Sequence, residues 1–287
     1  MGGLAPRADD GMRPSGGAER SRDKGSPFLY GRKSFIAYSA DPRFSYCLYL
    51  PDEIRRICVY VHGTYRDAAF YRDQLTDFAV RNQALLVCPL FPAGLIEPLD
   101  VENYKLLRFH EIRYDRILLG MLDEISQRYA VPCERFMLGG FSGGAQFAHR
   151  FAYFHAERLS ALSLAAPGRV TLLDESLDWW SGVRDAERLF GRAIDIAALR
   201  RLPIQLLVGE NDDDDITIAD DDPWWAPGAN LAGATRRERL ASLFGQYQRL
   251  GCDATLEVIA GCGHEWTPLR DATIRFFEVS FTSADED

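Results

Sequence analysis

The chain has 287 residues, of which 47% are hydrophobic and 26% charged, and its formal net charge is −9. That composition is globular, and the acidic balance argues against nucleic acid or an anionic membrane as the main partner. No apolar run approaches the roughly 20 residues of a membrane span.

Residues 1–30 read as a disordered arm, rich in Gly, Arg and Asp and poor in apolar residues. They lack the apolar stretch of a secretory signal, so the expected location is the cytoplasm. Six scattered cysteines, with no CxxC spacing, then read as reduced thiols; a Cys252–Cys262 bridge is the weaker alternative. The folded domain is expected over 31–281, with an acidic tail at 282–287.

From residue 34 onward, strand-like and helix-like segments alternate. "SFIAYS" (34–39) and "FSYCLYL" (44–50) read as an antiparallel pair, and "RICVYVHG" (56–63) as a buried strand. A helix is expected over 68–82, a strand over 84–91, and a helix within 110–130 carrying Ile117, Met121, Leu122 and Ile125 at helical spacing. Strand 135–142, helix 143–159 and strand 161–168 follow. Beyond them lie strand 203–212, helix 235–250, strand 254–261 and a closing helix over 271–281. This alternation implies βαβ crossovers and a mostly parallel sheet with helices on both faces. Two stretches break the rhythm. Residues 169–202, with Trp179 and Trp180, read equally as a small cap or as a surface helix with its loops, and 216–234 as an insertion shaping a pocket.

Ligands of such sheets bind beyond the carboxyl ends of the strands. At one such end stands Gly140-Phe141-Ser142-Gly143-Gly144, a G-x-S-x-G pattern between a strand and a helix. On that context the serine occupies a strained turn, and its small neighbours let the helix pack close behind the strand. The bland reading is a glycine turn with a capping serine.

A serine nucleophile needs a base near neutral pH. Of five histidines, His149 and His155 fall on the following helix and read as packing or surface residues, and His110 lacks a zinc-motif partner. His264, in "VIAGCGHEW" after the last strand, is the candidate base. The orienting acid should lie between serine and histidine. Asp212, which follows "IQLLVGEN", is the first choice and Asp213 the second, because 212–215 are all aspartates. A calcium loop is disfavoured there, since the spacing and glycine of an EF-hand are missing.

Oxyanion donors are expected at the amides of Gly143 and Thr64, the latter in "VHGTYRD", with Tyr65 and Phe141 lining a substrate pocket. His62 reads as a structural residue beneath that loop. The other tryptophans, Trp224, Trp225 and Trp266, serve either a pocket or core packing.

Taken together, "VYVHGTYRD", "LGGFSGGAQF", "LLVGENDDDD" and "IAGCGHEW" resemble the α/β-hydrolase superfamily, and more narrowly the polyhydroxybutyrate-depolymerase-like esterases. The resemblance implies the α/β-hydrolase fold and a Ser142–Asp212–His264 triad with an acyl-enzyme intermediate. It implies neither metal nor cofactor, and a small-molecule acyl substrate. Carboxylic ester cleavage is the leading expectation. A thioesterase, a peptidase, an acyltransferase or a non-catalytic binding protein on the same fold are the alternatives.

Overall fold

The computed structural model describes residues 30–98 and 100–284. The expected arm of 1–30 lies outside them except for Tyr30, and so do Leu99 and the last three residues of the tail.

Eight strands form one sheet: β1 Gly31–Ala37, β2 Ser45–Leu50, β3 Arg56–Val61, β4 Ala84–Leu90, β5 Phe136–Phe141, β6 Leu159–Ala165, β7 Ile204–Gly209 and β8 Ala254–Ile259. Their spatial order is β1-β2-β4-β3-β5-β6-β7-β8. The pairs β1–β2 and β2–β4 are antiparallel, and β4–β3 through β7–β8 are all parallel. Parallel neighbours need crossovers, and helices supply them. These are α1 Ala68–Gln74, α2 Thr76–Arg81, α3 Tyr114–Tyr129, α4 Gly143–His155, α5 Ala186–Phe190, α6 Ile196–Arg201, α7 Arg236–Leu250 and α8 Trp266–Ala284. A two-residue ribbon pairs 108–109 with 112–113.

The central strands are apolar on both faces because both faces are covered. On one face Val59, Val61, Leu138, Leu164 and Leu206 pack in a cluster that includes α3 and α4. On the other, Tyr60, Met137, Ala161 and Leu207 meet α1, α2 and α8 through Tyr71, Phe78, Leu269 and Phe277. β8 closes one edge and is only half buried, with Thr255 and Val258 exposed.

Three expected segments change. The helix over 68–82 is two helices, broken at Leu75, whose φ of −105° and ψ of 5° leave the helical region. The helix after β5 ends at His155 and passes into a 3₁₀ turn over 156–158. The closing helix starts at Trp266, five positions before its expected start. α7 begins where "TRRE" suggests a capping box: Thr235 accepts from the Glu238 amide, and Glu238 accepts from the Thr235 amide.

Residues 169–202 carry α5 and α6, while 216–234 form no regular element. The two stretches pack on each other around Trp180, whose indole N–H donates to the carbonyl of Trp224, with Leu106, Ile218 and Ala229 against it. All six cysteines are free, Cys252 and Cys262 included. No helix among the described residues is long and apolar enough to cross a membrane.

Candidate active site

Ser142 stands between β5 and α4 with φ 54° and ψ −113°, a strained conformation for a residue with a side chain. Two hydrogen bonds hold the turn. Its amide donates to Ala165 O at the end of β6, at 2.8 Å, and its carbonyl accepts from Gln146 N at 3.1 Å. The flanking glycines answer to close approach. A Cβ on Gly144 would lie inside the carbonyl of Val61, and one on Gly140 would strike the backbone of Gly144. Side chains there would push α4 off β3 and β5.

The loops after β7 and β8 are joined to each other. Glu210 N donates to Ile259 O and Asn211 N to Cys262 O, both at 2.8 Å. The Glu210 carboxylate accepts from the Gly261 amide at 2.8 Å. Gly261 takes φ 67°, which lets the second loop turn back over the sheet. This fixes Asp212 opposite His264.

Ser142 Oγ lies 3.1 Å from His264 Nε2, and His264 Nδ1 lies 2.8 Å from Asp212 Oδ2. With the carboxylate as acceptor, Nδ1 carries the proton and Nε2 is left to accept from the serine hydroxyl. Asp212 is 1% exposed, while Asp213, Asp214 and Asp215 face solvent. Burial alone would raise the Asp212 pKa. The hydrogen bond and charge of His264, together with Arg236, outweigh it and hold the carboxyl below its ordinary range. Arg236 Nη1 donates to the second oxygen, Oδ1, at 2.8 Å. The Phe141 ring stacks on His264 at 4.7 Å and 27°, holding the imidazole plane.

Thr64 follows Gly63 in a turn closed by Arg66 N to Gly63 O at 3.1 Å. Its amide nitrogen lies 3.3 Å from the point where a Cβ on Gly143 would sit, so the two expected donors are neighbours at the N-terminus of α4. His62 is buried beneath them. It donates from Nδ1 to Gly63 O at 2.8 Å and accepts at Nε2 from Phe91 N at 3.0 Å. Burial drives its pKa down to about 3, so it stays neutral.

The two expected pocket residues part company. Tyr65 is 98% exposed on its turn, whereas Phe141 is buried behind His264. Trp266 is buried in the core against Tyr60 and Tyr71. His149 and His155 are buried on α4; His149 accepts from Thr171 N and His155 meets Asp115. His110 is exposed beside Glu97.

Sequence reasoning missed three residues. Arg236 opens α7 and reaches Asp212. Tyr104 and Lys105, in a 3₁₀ turn between β4 and α3, abut Gly143: a Cβ there would sit 2.5 Å from Tyr104 Oη and 2.9 Å from Lys105 Cε. No local pattern marks them, because all three contacts join distant elements. Among the described residues, no cluster of three or more His, Cys, Asp or Glu side chains is placed to hold a metal.

No protein-family model matches this sequence, and no curated protein matches it either. Solved structures do. A poly(aspartic acid) hydrolase-1 from Sphingomonas sp. KT-1 superposes with TM-score 0.69 at 21% identity, over 86% of this chain and 98% of that one. A poly(3-hydroxybutyrate) depolymerase from Bordetella parapertussis gives 0.70 at 24%, over 86% and 90%. A fluorophosphonate-binding serine hydrolase from Staphylococcus aureus gives 0.59 at 11%, over 87% and 98%. With the strand order, these similarities place the chain in the α/β-hydrolase fold.

Proposed function

We propose that this protein is a serine hydrolase that cleaves a carboxylic ester by way of an acyl-enzyme. One observation carries the reading: a single imidazole bridges the strained Ser142 hydroxyl and the buried Asp212 carboxylate, at 3.1 and 2.8 Å. In the proposed cycle Ser142 Oγ attacks the carbonyl carbon as its proton passes to His264 Nε2. Asp212 keeps Nδ1 protonated and stabilises the imidazolium. The amides of Thr64 and Gly143, with the dipole of α4, receive the developing oxyanion. His264 then gives its proton to the departing alkoxide. A water, deprotonated by the same nitrogen, attacks the acyl-enzyme and releases the acid and Ser142.

Arg236 acts through Asp212, keeping it ionised and fixing its second oxygen. Phe141 positions the imidazole, and Tyr65 stands at the mouth, where it contacts the outer part of the substrate. The six free thiols suit a reducing compartment. Neighbours named as a polymer hydrolase, a depolymerase and a serine hydrolase support the reaction class. The test is turnover of p-nitrophenyl butyrate by wild type and Ser142→Ala. A loss of at least ~10³-fold with an unchanged circular dichroism spectrum is expected; equal turnover in the variant refutes the assignment.

A further inference from the structure

A group of cations lies close to Gly143 and Gly168, near Ser142. Lys105 is buried with its Cε against Gly143, and its ammonium meets Glu102 Oε1 at 2.6 Å. The other oxygen of Glu102 accepts from Arg169 Nη1 at 2.9 Å. Arg169 follows Gly168, where an added Cβ would sit 3.2 Å from Gln146 Nε2, one helical turn beyond Ser142. Lys105, Glu102, Arg169 and Gln146 therefore form one polar group near the N-terminal turn of α4.

Two further guanidinium groups adjoin it, and neither donates to a carboxylate. Arg150 is fully buried and donates to Thr171 Oγ1, Lys105 O and Gln146 O, while its Nη2 has no partner. Arg239 donates to the carbonyls of Gly168, Gly233 and Ile216 and to Asn230. Arg150 and Arg169 both lie over the ring of Trp180, at 5.7 and 5.8 Å. Gln146 Oε1 is likewise buried and unpartnered. Lys105 and Arg169 thus share one carboxylate, Glu102, and Arg150 hydrogen-bonds to none. Burial pulls Arg150 down to about 9 and Arg239 to about 10, with neighbouring cations acting in the same direction. A low-dielectric cleft lined by one sign of charge concentrates ions of the other sign.

Resting on the assignment of Ser142 as nucleophile, we propose that the acyl part of the substrate carries a carboxylate, received by Arg169 in the field of Lys105, Arg150 and Arg239. His264 must protonate the leaving group, which therefore departs toward the histidine, and the proposal sets the acyl chain toward Gly143, Gln146 and Gly168. Arg169 is the residue that can grip, since its side chain is 16% exposed and only one of its nitrogens is engaged.

The experiment compares p-nitrophenyl hydrogen adipate with methyl p-nitrophenyl adipate, which differ by one charge. Wild type is expected to favour the free carboxylate by tenfold or more in kcat/KM, and added salt should shrink the preference. Arg169→Gln should lose tenfold or more on the anionic ester and less than threefold on the neutral one, and Arg169→Lys should recover part of the loss. A wild-type preference for the neutral ester overturns the proposal without any variant, and so does an equal loss on both esters in Arg169→Gln. A neutral fluorophosphonate separates the two levels. Labelled Ser142 with no carboxylate preference removes the anion site alone, and unlabelled Ser142 removes the hydrolase reading with it.

Discussion

Replacing Asp212 by asparagine changes one atom, and its consequences can be worked out from the structure. The carboxylate accepts two charge-assisted hydrogen bonds, from His264 Nδ1 at 2.8 Å and Arg236 Nη1 at 2.8 Å. The amide has a single acceptor oxygen. Turned toward Arg236, it presents N–H to Nδ1 and drives the imidazole proton to Nε2, so the ring can no longer accept from Ser142. Turned toward His264, it points N–H at a guanidinium. The rate penalty for a wrong tautomer in such triads is about 10⁴-fold in kcat, equivalent to ~5.5 kcal/mol at 1.36 kcal/mol per decade. Stability should fall as well, because Arg236 loses its buried counter-charge and keeps only the exposed Asp214 at 3.8 Å. Breaking a buried pair costs about 3–5 kcal/mol, and the partial exposure of Arg236 places this one nearer ~2. The assay is kcat on a p-nitrophenyl ester together with urea unfolding of Asp212→Asn and Asp213→Asn. Asp213 is exposed, so its variant should stay within about twofold of wild type in rate. Comparable losses in the two variants, or a kcat within tenfold of wild type for Asp212→Asn, would refute the assignment of the acid.

Gly144→Ala should destabilise by about 3 kcal/mol or more, since its methyl group meets the carbonyl of Val61, which cannot move without breaking β3 pairing; chemical denaturation measures it. Gly143→Ala fills the space between Tyr104, Lys105 and Thr64 N, so kcat should fall about 10²–10³-fold while the fold survives; near-normal kcat would place the oxyanion elsewhere. Thr235→Ala removes the capping box of α7 and should cost about 1 kcal/mol in urea unfolding. Acid should destabilise the protein in two windows. His62, held near 3, and His149, held far below its ordinary value, are buried and neutral. Below about pH 6.5 the unfolded chain binds up to two protons that the folded chain refuses, so stability falls on acidification by up to ~2.7 kcal/mol per pH unit. Asp212 has the same sign in a lower window. Its folded pKa is depressed, so its contribution is complete above the unfolded value of 3.8 and disappears only as pH drops through the lower folded value. Urea unfolding at pH 7, 6 and 5 checks the histidine part; a flat profile contradicts it.

The parallel core and its crossovers were legible because β3 through β7 are short apolar runs separated by amphipathic segments. The break at Leu75 was not, since "DQLTDF" continues a helical pattern and only the packing of α1 and α2 on β4 imposes the kink. The aspartate run at 212–215 shows the limit of local reading. Four identical residues differ only in burial, which the ties between the β7 and β8 loops decide. Arg236, Lys105 and Arg169 carry no motif, because each gains its meaning from a partner far away in the chain. Tyr65 and Phe141 flank the expected loops equally well in sequence, yet one faces solvent and the other supports the imidazole.

The central claim is that Ser142 is an activated nucleophile. Intact-mass spectrometry after treatment with a fluorophosphonate, run beside Ser142→Ala, tests it most directly. A single adduct that maps to Ser142, is absent from the alanine variant and forms much more slowly in Asp212→Asn is the expected result. Well-folded protein that takes up no adduct, or an adduct that persists in Ser142→Ala, would contradict it.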